Sequence, residues 1–431
     1  MVVYESQCST TCGGADEVPM TYIQKGTPVF RKITFAFFAA GFNTFAILYC
    51  VQPLMEEFTR EFHVTPTAAS LSLSVTTMLL AVSMLVFGSL SEVWGRKPIM
   101  AISMLAASVL CLASAFSPNF HTLLVLRTIQ GIALAGLPSI AMAYLGEEIE
   151  PGSLGSAMGL YISGNAIGAV FGRIVSGLLS EYFTWHMAMG SIGVISLIAS
   201  MIFFMNLPPS RHFTPRKLEF GQLGLSLISH LKDRKLLSLF LIGFLLLGSN
   251  VALFNYIAYV LLGPPYSFNK AFASWIFIVM IVGIFSSSFI GRMVDQYGYP
   301  KILVMNICIV VTGALLTINS ILAVKILGIA LFTFGFFGGH SVASSWVGRR
   351  ALHNKAQASS LYLFFYYAGS SVCGTVGGLF WSAFHWLGVV GMITFMLLVA
   401  LWLSGYLASR SAKVPEKGTK KDSIDDCKKG P

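Results

Sequence analysis

Residues 88–98 read GSLSEVWGRKP. They follow TAASLSLSVTTMLLAVSMLVF (67–87), an uncharged and mostly apolar run, and a second apolar run begins at residue 98. Eleven positions therefore hold two glycines, an acid, an arginine and a lysine between two stretches that carry no charge at all. Each flanking run is about as long as the 20 or so apolar residues that a helix needs to cross a hydrocarbon core. The charged stretch then reads as a wet turn between two crossings.

The pattern continues along the chain. Of the 431 residues, 55% are hydrophobic and 11% charged, where soluble domains carry about 25% charged residues. A water-soluble fold of this composition would expose large apolar patches. Twelve spanning runs can be read: 33–54, 67–87, 98–117, 122–145, 155–179, 187–207, 236–262, 271–291, 302–324, 326–347, 358–381 and 386–408. Lipid cannot satisfy free backbone groups, so the runs are expected to be helices. They lack the alternation of a membrane barrel.

The net charge of +10 is placed for a bilayer rather than for nucleic acid. With the N-terminus inside, the inner segments hold Lys25, Arg31, Lys32, Arg96, Lys97, Arg211, Arg216, Lys217, Lys232, Arg234, Lys235, Arg292, Lys301, Arg349, Arg350, Lys355 and a basic tail. The outer loops hold only Arg60, Lys270 and Lys325, and Arg127 and Arg173 lie inside runs. This positive-inside asymmetry predicts both termini in the cytoplasm. Cys50, Cys111, Cys308 and Cys373 sit in or beside runs, while Cys8, Cys12 and Cys427 lie in the tails. No Cys/His set accompanies the Cys8–Cys12 spacing, so neither a metal site nor a disulfide framework is expected. The head is too polar for a cleavable signal.

The domain plan follows: a cytoplasmic segment 1–32, a six-helix bundle 33–207, a basic linker 208–235 with a surface helix, a second bundle 236–408 and a cytoplasmic tail 409–431. The halves echo each other. Gly88, Leu90, Glu92 and Gly95 match Gly291, Met293, Asp295 and Gly298, 203 residues on. GLYISGNAIGAVFG (159–172) echoes FFYYAGSSVCGTVG (364–377). Two repeats with a site between them is a transporter layout.

With these motifs the chain resembles the major facilitator superfamily over roughly residues 30–408. Gly88, Leu90, Gly95, Arg96 and Lys97 match the family pattern G-x-L-x-D-x-x-G-R-[RK], with Glu92 in place of Asp. Leu123, Arg127, Gln130 and Gly131 match L-x-x-x-R-x-x-Q-G. The pattern is most similar to bacterial inner-membrane exporters of the acriflavine-sensitivity type. The fifth-run motif of drug/proton antiporters is kept at Gly155, Gly164, Gly168 and Gly172, but Ala169 replaces its proline and Arg173 its last glycine. The resemblance implies alternating access and outward transport against protons; the missing proline leaves the direction unassigned.

Residue chemistry supplies the candidates. Glycine at 88 and 95 suits a tight reversal. Glu92 is expected to face a helix N-terminus of the other half, and Arg96 to pair with Glu147, Glu148 or Glu150, both only while the cytoplasmic side is closed; together with Lys97, Gly291, Asp295 and Gly298 they form a candidate conformational latch. A charge within a span normally faces the bundle interior or a wet cavity, so Arg127 and Arg173 are read as cavity charges or as side chains snorkelling to the outer surface. No Asp or Glu lies deep in a run, which leaves His340, Glu147 and Glu148 as proton-coupling candidates; His340 as a neutral residue bonded to a neighbouring helix is the alternative. Asn43, Gln130, Asn165, Asn250, Asn255 and Tyr256, with Tyr49, either line a cavity or bond helix to helix.

Phosphate loops, nucleophile elbows and paired carboxylates are missing, so an ATP-driven pump and an intramembrane enzyme are not expected, and no cofactor is called for. The sequence reading is a monomeric secondary transporter of the bacterial inner membrane, exporting a small organic solute with protons as partners and the bilayer as solvent. Its alternatives are an importer or uniporter of an anionic metabolite, and a membrane sensor retaining the transporter fold, for which head and tail provide no partner domain.

Overall fold

The computed structural model describes residues 22–210, 213, 220–351 and 353–411. Cys8, Cys12 and Cys427, the linker residues Arg211, Arg216 and Lys217, and most of both terminal segments lie outside the described residues. The fold is all-helical: α1 (Pro28–Glu61), α2 (Pro66–Trp94), α3 (Arg96–Ser114), α4 (Phe120–Glu148), α5 (Pro151–Tyr182) and α6 (Trp185–Asn206), then a short α7 (Phe220–Lys232), then α8 (Arg234–Leu262), α9 (Lys270–Tyr297), α10 (Tyr299–Leu316), α11 (Leu322–Arg350) and α12 (Lys355–Ser411). Eleven of these, all but α7, contain segments long and apolar enough to cross a membrane.

The helices begin where local chemistry starts a helix. Thr27, Thr65, Asn119, Thr184 and Asp233 each accept a backbone N–H of the first turn, satisfying donors that have no intrahelical partner. Pro28 and Pro66 occupy first positions, where a missing N–H costs nothing. Two breaks matter. In α1 the regular helix stops at Tyr49 and continues through a 3-10 turn at Gln52–Leu54 around Pro53. In α12, 57 residues long, Phe384 and His385 leave helical geometry (His385 φ 50°, ψ −139°).

Two turns have the same backbone. Gly95 (φ 92°, ψ 151°) separates α2 from α3, and Gly298 (φ 80°, ψ 158°) separates α9 from α10. A side chain is strained in this region, so glycine is needed at both places. Gly88, expected to help the reversal, is instead helical, and open space surrounds the point where its Cβ would stand. The turn is made by Gly95 alone.

Small residues bring helices into backbone contact. A Cβ on Gly164, Gly168 or Gly172 of α5 would collide with the carbonyl oxygens of Phe38, Phe42 and Ala46 of α1. On α12 a Cβ on Gly369 would collide with the Phe244 carbonyl of α8. Helices that approach this closely gain dispersion contacts that lipid cannot supply.

Bonds between helices α1–α6 and helices α8–α12 gather at one end. Gln52 donates to Asn255 (2.7 Å), and Thr59 and Tyr259 share a hydroxyl bond (3.0 Å). Lys270 pairs with Glu57 through its ammonium and donates its backbone N–H to Glu181 (2.9 Å). Ser371 and Thr375 of α12 donate to the carbonyl and hydroxyl oxygens of Ser74 on α2 (2.7 and 2.8 Å). This end carries Arg60, Lys270 and Lys325. At the opposite, basic-rich end the polar contacts stay within one set of helices: Arg96 with Glu147, Arg350 with Asp233, Asn354 with Ser226. Among the described residues, no hydrogen bond or ion pair joins the two sets there.

Candidate functional site

The space between the two sets of helices is the candidate site, and Arg173 places a buried cation there. This side chain is 1% exposed. Its Nε donates to Gln52 Oε1 (2.5 Å) and its Nη1 to the Ala169 carbonyl (2.7 Å). The guanidinium lies over the Tyr49 ring (3.9 Å) and near Phe277 of α9 (5.4 Å), contacts whose electrostatics favour a cation. No carboxylate reaches it among the described residues. Gln52 passes the network on to Asn255, so the chain Arg173–Gln52–Asn255 spans both sets of helices. The Asn255 Nδ2 has no partner. Arg173 does not snorkel: it is enclosed by rings and amides at the closed end.

Arg127 differs from both sequence expectations. It is fully buried, and its donors are taken up by backbone and amide oxygens. Its Nε donates to the Ser72 carbonyl (2.9 Å), Nη1 to the Ile47 carbonyl (3.1 Å) and Gln130 Oε1 (2.6 Å), and Nη2 to the Leu48 carbonyl (3.0 Å). Ile47 and Leu48 are in the last turn of the regular part of α1, where carbonyls lack intrahelical donors and carry the negative end of the helix dipole. The guanidinium is a side-chain cap on an interrupted helix. Gln130 belongs to the same cap: it is fully buried, accepts from Arg127 and donates to the Ala107 carbonyl (2.8 Å), bonding helix to helix.

The amides divide. Asn43 bonds helix to helix, donating to Ser200 (2.9 Å) and Ser108 (3.4 Å) inside the first bundle. Tyr256 is buried, donates to the Gly374 carbonyl (2.8 Å) and stacks near Trp381. Asn165 Oδ1 and Asn250 Nδ2, like Asn255 Nδ2, Asn43 Oδ1 and Asn306 Oδ1, are buried without partners. His340 is half-buried; its Nδ1 shares a hydrogen bond with the Tyr362 hydroxyl of α12 (2.9 Å), and its ring stacks on Tyr366 (centroids 4.3 Å apart). It is thus bonded to a neighbouring helix.

At the basic-rich end, Arg96 is 8% exposed and bidentate on Glu147 (2.7 and 3.3 Å), with a third bond to Ser91 (2.6 Å). All three residues belong to α2–α4, so the pair forms without the other half, contrary to the expectation that it requires closure. Glu92 is half-buried and makes no hydrogen bond or ion pair among the described residues. Lys97 lies over the Phe204 ring of α6 (5.3 Å). Glu148 is buried at the end of α4, and Leu90 is half-buried. Gly291 and Asp295 are exposed.

Sequence reasoning passed over Gln52, Glu57, Lys270 and Lys325. Lys325, read as an outer-loop charge, is 3% exposed; its ammonium donates to the Thr317 carbonyl at the end of α10 and sits by the rings of Tyr266 and Trp386. The sequence signal for Gln52 was the adjacent Pro53, which interrupts α1 and frees the carbonyls that Arg127 then caps.

Residues 33–372 match the family model described as Major Facilitator Superfamily. The chain belongs to that superfamily. It is 91% identical over 402 residues to the MFS-type transporter YybF of Bacillus subtilis (strain 168), covering 93% of this chain and 99% of that one. It is 43% identical over 392 residues to the inner membrane transport protein YnfM of Escherichia coli (strain K12), covering 91% and 94%. To the multi-drug resistance efflux pump PmrA of Streptococcus pneumoniae (strain ATCC BAA-255 / R6) it is 27% identical over 359 residues, covering 78% and 88%. The fold is similar to that of the crystallised nucleoside transporter NupG, D323A mutant, with a TM-score of 0.72 at 15% identity over 87% of this chain and 99% of that one. This superfamily member is a multi-pass membrane transporter.

Proposed function

We propose that the protein is a monomeric secondary transporter that exports a small organic solute by alternating access, with protons as the counter-ion. The observation that carries this reading is the one-sided distribution of bonds between the helix sets. A carrier that alternates must close one end while the other parts, and side-chain bonds that, among the described residues, join the halves at one end are the chemistry of such a state.

Twelve crossings fit better than eleven. At 1.5 Å per residue a 57-residue helix would reach about 85 Å, against a core of about 30 Å. The break at Phe384 and His385 makes two crossings of it. The recurrence of glycine at 95 and 298, and of Gly164 and Gly369 each against a phenylalanine carbonyl, supports two six-helix repeats. Both termini and α7 then share the basic-rich, cytoplasmic side, and the arrangement described here is open inward. Export agrees with the likeness to PmrA.

Arg173 favours a particular solute class. A buried guanidinium facing amides and rings, with no carboxylate to neutralise it, repels cations and suits an anionic or neutral aromatic solute. The same residue supports a second reading, import or uniport of an anion. One experiment separates these readings. Proteoliposomes holding a pH-sensitive dye are challenged with a panel of aromatic acids, neutral aromatics and lipophilic cations, with and without a pH gradient. Export with protons predicts dye-reported proton movement opposite to the solute, lost in Arg173→Met. Solute flux that ignores the gradient and moves no protons would leave uniport.

A further inference from the structure

Below the transport path, at the basic-rich end of the second half, lies a cavity of about 500 Å³. It is walled by His230 of α7, Asp233, Tyr299 at the start of α10, Trp346, and the consecutive Arg349 and Arg350 that end α11. No step of the transport reading uses it.

Its electrostatics are unbalanced. Arg350 is paired with Asp233 (2.9 and 3.3 Å), but its Nε is buried with no partner. Arg349 is exposed and its guanidinium lies 5.6 Å from the Tyr299 ring, which in turn sits 5.8 Å from Trp346. Asp233 is the one carboxylate in the wall, and both its oxygens already serve Arg350 and the N–H groups of Lys235 and Leu236. His230 is 7% exposed and its Nε2 has no partner.

The corresponding place in the first half shows what a balanced version looks like. At the 203-residue offset, Tyr299 stands where Arg96 is and Arg350 where Glu147 is. In the first half that position closes with an ion pair, and the neighbouring space is filled by Ile23, Phe30, Tyr144 and Leu145 in one apolar cluster. In the second half the acid has become an arginine and the space is left open.

The helix α7 carries the polarity the wrong way round for a soluble surface. Ser226 and His230 are turned inward at 8% and 7% exposure, while Leu225 and Ile228 stand out at 70% and 50%. A helix that exposes leucine beside a membrane surface lies in the interface, with its apolar face in the acyl region. The cavity therefore opens at headgroup depth, where a helix contributes an imidazole and its neighbour two guanidiniums.

We propose that this cavity binds a phosphate group, through Arg349, Arg350 and His230. Guanidinium forks and an imidazole present more donors than a two-oxygen carboxylate can occupy, and they match the three free oxygens of a phosphate ester. The phosphate is either the headgroup of an anionic phospholipid or a free phosphate in the cytoplasm.

The test uses the full-length protein and its thermal unfolding midpoint. In detergent, inorganic phosphate is titrated against chloride and against acetate at equal ionic strength. In nanodiscs, phosphatidylcholine alone is compared with phosphatidylcholine containing phosphatidylglycerol. Arg349→Gln and His230→Gln are run beside the wild type; Arg349 is exposed and outside the ion pair, so its exchange leaves folding intact. A midpoint raised by a few degrees in wild type, and unraised in both variants, supports the site. A rise with inorganic phosphate assigns the soluble source, and a rise with phosphatidylglycerol alone assigns the lipid. An equal rise with acetate, an equal rise in Arg349→Gln, or no rise with either phosphate source in wild type overturns the proposal.

Discussion

Lys270→Gln should open the closed end. Lys270 joins the halves through an ion pair: its ammonium pairs with Glu57 and its backbone N–H donates to Glu181. The side chains of Lys270 and Glu57 are only 15% and 13% exposed, so the pair is neither a surface bridge worth about 0–1 kcal/mol nor a fully buried one whose breaking costs about 3–5 kcal/mol. A value of about 2 kcal/mol lies between them. Removing the ammonium leaves Arg60 on Glu57 Oε1 (2.6 Å) but strips the partner from Oε2, which stays desolvated against the other half, and that penalty exists only while the end is closed. The equilibrium should thus shift by about 30-fold toward the state open at that end. Spin labels at His63→Cys and Asn319→Cys, exposed residues on opposite halves of this end, report the opening as a longer distance in double electron–electron resonance, in a background with other accessible cysteines removed. Glu57→Gln should act in the same direction. Unchanged distance distributions in both variants would refute the latch and leave the shape of the interface as what holds the end shut.

Three further outcomes are expected. Arg127→Met leaves the Leu48 carbonyl bare, while Ile47 and Ser72 keep bonds from Cys50 Sγ and Thr76 Oγ1; at about 1–3 kcal/mol for a buried acceptor left unsatisfied it should lower the thermal midpoint and reduce the yield of monodisperse protein, and a normal midpoint would show that water replaces the guanidinium. His340→Gln retains a hydrogen bond to Tyr362 but cannot titrate, so if His340 carries the proton, the pH profile of exchange between about 5.5 and 8 should flatten; superimposable profiles point instead to Glu147 or Glu148. Gly95→Ala forces a side chain into a glycine-only conformation at about 1–3 kcal/mol, whereas Gly88→Ala, in an open helical position, should be neutral or stabilising in thermal unfolding; slow transport by a stable Gly88→Ala protein would place the need for that glycine in the other conformation.

The helical architecture was legible because it rests on composition and on runs about 20 residues long. Gly95 was legible too: an isolated glycine beside two cations and a proline, between two spans, marks the turn. Arg96 with an acid in GEEIEP could be paired from charge alone. The cap around Arg127 could not. Its partners are backbone carbonyls at Ile47, Leu48 and Ser72, and no side chain identity announces a carbonyl left unbonded by an interrupted helix. Lys270 and Gln52 were missed for a different reason: their partners stand more than 200 residues away in the other half, and a single lysine in a short loop looks the same whether it meets water or Glu57. Lys325 shows the limit of counting charges by loop, since its long aliphatic stem lets the ammonium turn back onto the end of α10 under two aromatic rings.

Because Gly164, Gly168 and Gly172 press α5 onto the backbone of α1, that pair of helices is welded by atoms that every amino acid shares. The lining is made of side chains, which differ. Heritable variation can therefore act on the two separately. Substitutions at Asn165 or Asn250 can retune what is carried without loosening the frame, while at the three glycines even a methyl group has nowhere to go. Lineages that diverge in cargo should keep this ladder and scatter their differences across the faces that meet between the halves.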